Sequence, residues 1–330
     1  TGFRGISKIP SRRFQQFYDK DGLFDNEVSS AIEIKPGCFV FGHQGALTFY
    51  DGNRFEPFLL VNPFRKSEFE TRVQDIDIDQ NGNLWFAVSA KGVARIDSGR
   101  NITWYNEKNG LTQWITSVLV TSDKKVYASG NDGLFQYSDG RFHHLEPGER
   151  LECSGIRKLF EGIDGSIYFA LYTDGVAKLH GDRLTCFRAV DNQMANSVYS
   201  IFFTPEGYPL IGTKAGLFTI RDSLLVRVDS NGLRIDNPVY LILRDHSGDL
   251  WFGSDNGAYR WNGKRLDHLT VNDGFSGLEI NRDAGFVDHS GNIWFGTNNG
   301  LTKFLPERDY NYEEIPAPLI MLKELDVGGK

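Results

Sequence analysis

Ser247-Gly-Asp-Leu-Trp-Phe-Gly-Ser254 decides the fold, because the chain repeats it. Asn81-Gly-Asn-Leu-Trp-Phe-Ala-Val88 and Ser290-Gly-Asn-Ile-Trp-Phe-Gly-Thr297 are the same phrase, and weaker copies start near Pro36, Asp123, Asp164 and Pro205. Each copy is followed within a few residues by a glycine that opens a second strand: Gly45, Gly92, Gly133, Gly175, Gly216, Gly257 and Gly300. These glycines are spaced 47, 41, 42, 41, 41 and 43 residues apart. Spacing of ~40–50 residues is that of four-stranded propeller blades. The pattern therefore predicts an all-β, seven-bladed β-propeller of four-stranded antiparallel blades.

One blade can be built outward from the quoted stretch. Strand A is the apolar run Tyr240-Leu-Ile-Leu243, and Asp245-His-Ser-Gly248 turns it into strand B, Leu250-Trp-Phe-Gly253. The Asp can bond the turn backbone and the Gly can take a positive φ. Strand C is Gly257-Ala-Tyr-Arg-Trp261, and Asn262-Gly263, a strong hairpin signal, leads to strand D near 265–269. Two columns supply the packing. The strand-B position of Trp85, Trp251 and Trp294 is Val40, Tyr127, Tyr168 or Leu210 in the other copies. Two residues later every copy is small: Gly42, Ala87, Ser129, Ala170, Gly212, Gly253 and Gly296. Large beside small lets facing sheets interdigitate, so the tryptophans read as inter-blade core.

The ends fit a closed ring. No ordinary strand D follows Gly300–Phe304, whereas Arg12-Arg-Phe-Gln-Gln-Phe-Tyr18 precedes the first strand A and resembles strand-D segments such as Arg54-Phe55 and Arg141-Phe142. The N-terminal strand is expected to complete the last blade, removing the sheet edges that invite aggregation. Residues 1–10 read as a leader or linker, 11–307 as the propeller, and 308–330 as a linker with the first strand of a truncated further domain.

Composition agrees and excludes several classes. The 330 residues include 36 Gly, 25 Phe, 13 Tyr and 6 Trp, a pairing of turn formers with strand formers. A net charge of −7 argues against a nucleic-acid partner. No apolar run approaches the ~20 residues of a membrane-spanning helix. Cys38, Cys153 and Cys186 show no C-x-x-C spacing, so they read as small hydrophobes rather than a zinc or redox site. No H-E-x-x-H, G-x-S-x-G or Walker loop occurs, and no cofactor is expected.

The pattern Asp-x-x-Gly-x-Leu-Trp-Phe-Gly-Thr-x-x-Gly-Leu, with leads such as Asp21-Gly-Leu23, Asn109-Gly-Leu111, Asn231-Gly-Leu233 and Asp273-Gly-Phe275, resembles the two-component-regulator propeller repeat of bacterial sensor proteins. The resemblance runs from about Arg13 to Pro306 and is sharpest at Gly277–Asn281 and Asp288–Pro306. Lys124-Lys125 and Pro209-Leu-Ile depart from it. It implies the extracytoplasmic, periplasmic input region of a transmembrane signalling protein, working as a homodimer. An immunoglobulin-like domain would follow, its first strand at 315–329, and then a cytoplasmic histidine kinase or diguanylate cyclase. The Asp turns also resemble the Asp-box of sialidase-like propellers, where the Asp is structural.

Recognition is expected on the rim that gathers the B–C and D–A connections, since loops on a rigid scaffold carry function. Its candidates are His43, Arg65, Arg72, Lys91, Trp114, Tyr172, Lys214, Arg234, Asn256, Arg282 and Asn298, a mixture suited to a carbohydrate or other polar small ligand. The long connection from Leu59 to Arg72, with Phe64, Arg65, Lys66 and Phe69, is its most distinctive part. Two rival readings are a propeller lyase or glycosidase working through Tyr172, His43 and Asp174, and a pure protein-interaction scaffold.

Overall fold

The repeated runs form antiparallel strands joined by tight turns. The structure is a computed structural model that describes residues 12–60, 71–145, 155–230 and 232–309. These residues hold 28 strands and short 3-10 turns, arranged as five four-stranded sheets and one eight-stranded sheet. In the sixth copy the strands are Leu241–Arg244, Leu250–Ser254, Gly257–Trp261 and Leu266–Leu269, within a residue of the sequence reading. Hydrogen-bonded neighbours within each four-strand unit are antiparallel.

The A–B turn and the strand-B tryptophan are one device. Asp245 Oδ1 accepts the N–H groups of Ser247 and Asp249 at 2.9 Å, and Oδ2 accepts Trp251 Nε1 at 2.9 Å. Asp79 does the same for Trp85 at 3.0 Å, and Asp288 for Trp294 at 2.8 Å. Each indole N–H, buried with its ring, thus keeps a partner. In the third copy Lys124 takes the left-handed conformation (φ 72°) that glycine holds at the matching turns, such as Gly248 (φ 93°).

The first strand of each copy contacts the first strand of the next, from Ser30–Lys35 round to Ile280–Val287 and back. Closure is made in the eight-stranded sheet. Phe14–Phe17 pairs with Gly300–Phe304, setting Phe14 opposite Phe304 and Phe17 opposite Leu301, as the N-terminal sequence foretold. Four strands from the last copy then meet four from the first through a single parallel pair, Ser30 with Asp283. Around the seam Arg13 bonds Asp309 at 2.7 Å, Arg260 bonds both Asp309 and Asp249, and Leu305 N–H donates to the Arg13 carbonyl at 2.8 Å.

The core lies between neighbouring sheets. Trp85, Trp251 and Trp294 are buried, and Trp251 meets Phe304 and Phe295 of the next copy at 4.8 and 5.8 Å. The small column is needed for this approach: a Cβ on Gly253 would stand 2.9 Å from Ile280 Cγ2 of the next copy. The leader, the proposed immunoglobulin strand, Cys153 and most of the Leu59–Arg72 connection lie outside the described residues.

Candidate functional site

The inner strands bring polar side chains to the axis of the ring, and a bulge decides which ones. Ladder register shifts between Ile156 and Lys158 and between Val198 and Ser200. A bulge bends the strand and re-aims its extra residue. Here Arg157 and Tyr199 line a mouth cavity of about 350 Å³. Arg72, Tyr240, Glu279, Arg282 and Asn298 complete most of its wall, with Glu27 and Asn281.

The wall is heavily cross-braced. Arg72 pairs with Glu27, and its other terminal nitrogen donates to Asn281 Oδ1 at 2.9 Å. Asn281 Nδ2 donates to the Val28 carbonyl at 2.7 Å. Arg157 lies over two rings, its guanidinium carbon 4.1 Å from the Tyr172 centroid and 4.6 Å from that of Tyr199. Arg282 lies over the same Tyr199 ring at 5.7 Å, and Tyr240 meets Tyr199 edge-on at 4.9 Å. Burial, then the nearby Arg282 charge, lowers the Arg157 pKa to about 10. Burial, then Tyr199, Asp255 and Glu279, pushes Tyr240 up to about 12, so its hydroxyl is a neutral donor at physiological pH.

Beneath the mouth a smaller cavity of about 120 Å³ shares Tyr199 and Arg282 with it and is floored by Asp75, Lys158 and Asp283. Lys158 Nζ bonds Asp75 at 3.1 Å and also Asp283, joining strands from three copies. Asp75 further accepts Ser117 Oγ at 2.7 Å and the Val118 N–H at 3.2 Å, and Ser117 Oγ accepts the Leu159 N–H. Burial lifts the Asp75 pKa to about 6 against the pull of Lys158. Two facing carboxylates outweigh burial at Lys158 and raise its pKa, so it stays an ammonium.

The expected rim residues disperse. Arg72, Arg282 and Asn298 line the mouth, and Tyr172 backs it through Arg157. His43 needs correction as a rim group. It is fully buried, with Nδ1 2.9 Å from the Glu27 carbonyl oxygen and Nε2 2.9 Å from Thr48 Oγ1, because the Phe24–Val28 lead folds over it. Burial lowers its pKa to about 4. Lys91 lies against Trp104, Arg234 bonds Asp229 and Asp236 of its own loop, and Trp114, Lys214 and Asn256 are exposed away from the mouth cavity. Arg65 lies outside the described residues. Of the rim residues considered for lyase or glycosidase chemistry, Asp174 faces Arg188 at 3.7 Å, and none of Asp174, Tyr172 and His43 lines the mouth cavity. Arg157, Tyr199, Tyr240, Glu27 and Asn281 were missed. For Arg157, Tyr199, Tyr240 and Asn281 the signal is a large polar residue at the head of strand A, whereas Glu27 lies three residues before its strand and carries no such signal.

Residues 234–256 match the two component regulator propeller model, so the chain carries that repeat. No curated protein matches it in sequence. Among solved structures it is similar to an extracellular domain described as part of a hybrid two component system of B. thetaiotaomicron, with TM-score 0.74, 18% identity, and coverage of 88% of this chain and 41% of that one. A second such domain from B. thetaiotaomicron gives TM-score 0.71 at 19% identity, covering 88% of this chain and 39% of that one. Virginiamycin B lyase from Staphylococcus aureus, in a catalytically inactive form with quinupristin, gives TM-score 0.68 at 14% identity, covering 88% and 98%. The chain thus spans about two fifths of the two extracellular domains it resembles. Identities this low establish the propeller-like fold alone.

Proposed function

We propose that this chain is the non-catalytic, periplasmic ligand-sensing module of a transmembrane signal-transduction protein. Counting the eight-stranded sheet as two blades bridged by one parallel pair supports a seven-bladed propeller. A bound ligand would be reported through the immunoglobulin-like domain to a histidine kinase or diguanylate cyclase in a homodimeric receptor. The repeat match at 234–256 and the sensor-like fold neighbours support this reading. No helix among the described residues is long and apolar enough to cross a membrane.

The mouth cavity carries the proposal. It is walled by aromatic and polar side chains and floored by an ion cluster, so a small polar ligand such as a sugar enters from one rim and stops there. A ligand drives signalling only through different affinity for two receptor poses. The test is a panel of neutral and acidic oligosaccharides, scored by thermal shift and by product formation. Stabilisation without turnover is expected. The lyase neighbour keeps catalysis as the second reading, and product formation would establish it. No thermal shift across the panel, with a protein captured instead, would favour a scaffold.

A further inference from the structure

The geometry points to an oxyanion subsite between Arg157 and Arg282 at the channel mouth, fitted to a carboxylate or sulfate group carried by a small polar ligand. This rests on the sensing proposal and narrows its ligand class. Among the described residues Arg72 has a carboxylate partner, Glu27, while Arg157 and Arg282 have no ion pair. Both guanidinium groups nevertheless face one ring, Tyr199. Two cations side by side repel each other, and burial first and then the Arg282 charge lower the Arg157 pKa. Its Nε is also buried and makes no hydrogen bond among the described residues.

The guanidinium of Arg157 cannot swing away easily. It lies over the Tyr172 and Tyr199 rings, and its Nη2 donates to Ser197 Oγ at 3.3 Å. Rigid guanidinium forks bind planar oxyanions through paired, charge-assisted hydrogen bonds. An anion there would relieve the repulsion between the arginines and use donors already in place. Glu279 opposes it from the exposed edge, and Glu27 is engaged by Arg72. Asp75 and Asp283 below are held by Lys158. Around the anion, the neutral Tyr240 hydroxyl and the exposed Asn298 amide are suited to the hydroxyl groups of a sugar ring.

The experiment titrates the protein with sodium glucuronate, sodium galacturonate, glucose and inorganic sulfate at constant ionic strength. Binding is read by calorimetry and by NMR of the arginine Nε–H groups. A uronate should bind and shift the Arg157 and Arg282 signals, while glucose should not. Arg282→Gln should lose about tenfold or more in affinity, as expected for removing a charged hydrogen-bond partner, with Arg282→Lys intermediate and the unliganded variants still melting cooperatively. Sulfate binding as well as a uronate supports the subsite and identifies its guest as a free oxyanion. Equal binding of glucose and glucuronate, no binding of any anion, or binding that Arg282→Gln leaves intact overturns it. A neutral oligosaccharide that stabilises the protein without moving either arginine signal would overturn the oxyanion subsite yet leave the sensing proposal standing.

Discussion

At the residue scale, buried polar groups here are held by specific hydrogen-bond partners. Trp294 and Asp288 are both buried and joined by the indole N–H. Trp294→Phe keeps a ring but removes one of the two donors to Asp288 Oδ2, the other being Asn292 Nδ2, which should cost about 1–3 kcal/mol. The urea midpoint should fall accordingly, and an unchanged midpoint would contradict the Asp–Trp pairing. His43 gives a pH signature. Its pKa falls from 6.5 to about 4 on folding, so between those values the unfolded chain binds more protons and stability rises with pH. The contribution, up to about 3 kcal/mol, is present above pH 6.5 and lost as pH falls toward 4. Asp75, raised to about 6, acts in the opposite direction, so wild type and His43→Gln must be compared. The wild type should lose more stability than His43→Gln between pH 7 and 4, and parallel curves would refute this. Neither feature was fully legible in the sequence. The turn Asp was read as bonding only its backbone, since a partner six residues on becomes visible only when the hairpin folds. His43 reads as a rim residue from its B–C connection, whereas the segment that covers it belongs to a neighbouring connection.

At the element scale, the strand pattern was readable because a strand's two-residue period is local. The inner strands were less so. A single bulged residue changes which side chain faces the axis, and no propensity marks it. These strands meet through Asp75, Lys158 and Asp283, separated by 83 and 125 residues in sequence. Lys158→Met leaves two carboxylates facing each other without their cation, a change expected to cost about 3–5 kcal/mol. Asp75→Asn keeps a neutral acceptor for Ser117 and preserves the Lys158–Asp283 pair, so its cost should be much smaller. Urea denaturation at pH 7 checks the order, and the Lys158→Met deficit should shrink at pH 5 as a carboxylate takes up a proton. Equal losses would mean that the cluster is not what joins these strands.

At the scale of the whole molecule, closure depends on the strand farthest in sequence from its partner. Deleting residues 1–20 removes the mate of Gly300–Phe304 and the ring contacts of Phe14 with Phe275 and Phe304, both at 5.2 Å. The opened edge should aggregate on size-exclusion chromatography and melt lower. A monomeric variant that melts like the parent would sink the closure model. Repeat spacing, turn chemistry and the large-beside-small strand-B columns are properties of short windows, so the sequence by itself determined the propeller, its closing strand and its inter-sheet tryptophans. Only the tertiary structure decided the site. Arg157, Tyr199 and Arg282 come from three copies and become neighbours when the ring closes, and a bulge turns two of them inward. Backbone periodicity is written residue by residue, whereas convergence on an axis belongs to the closed ring.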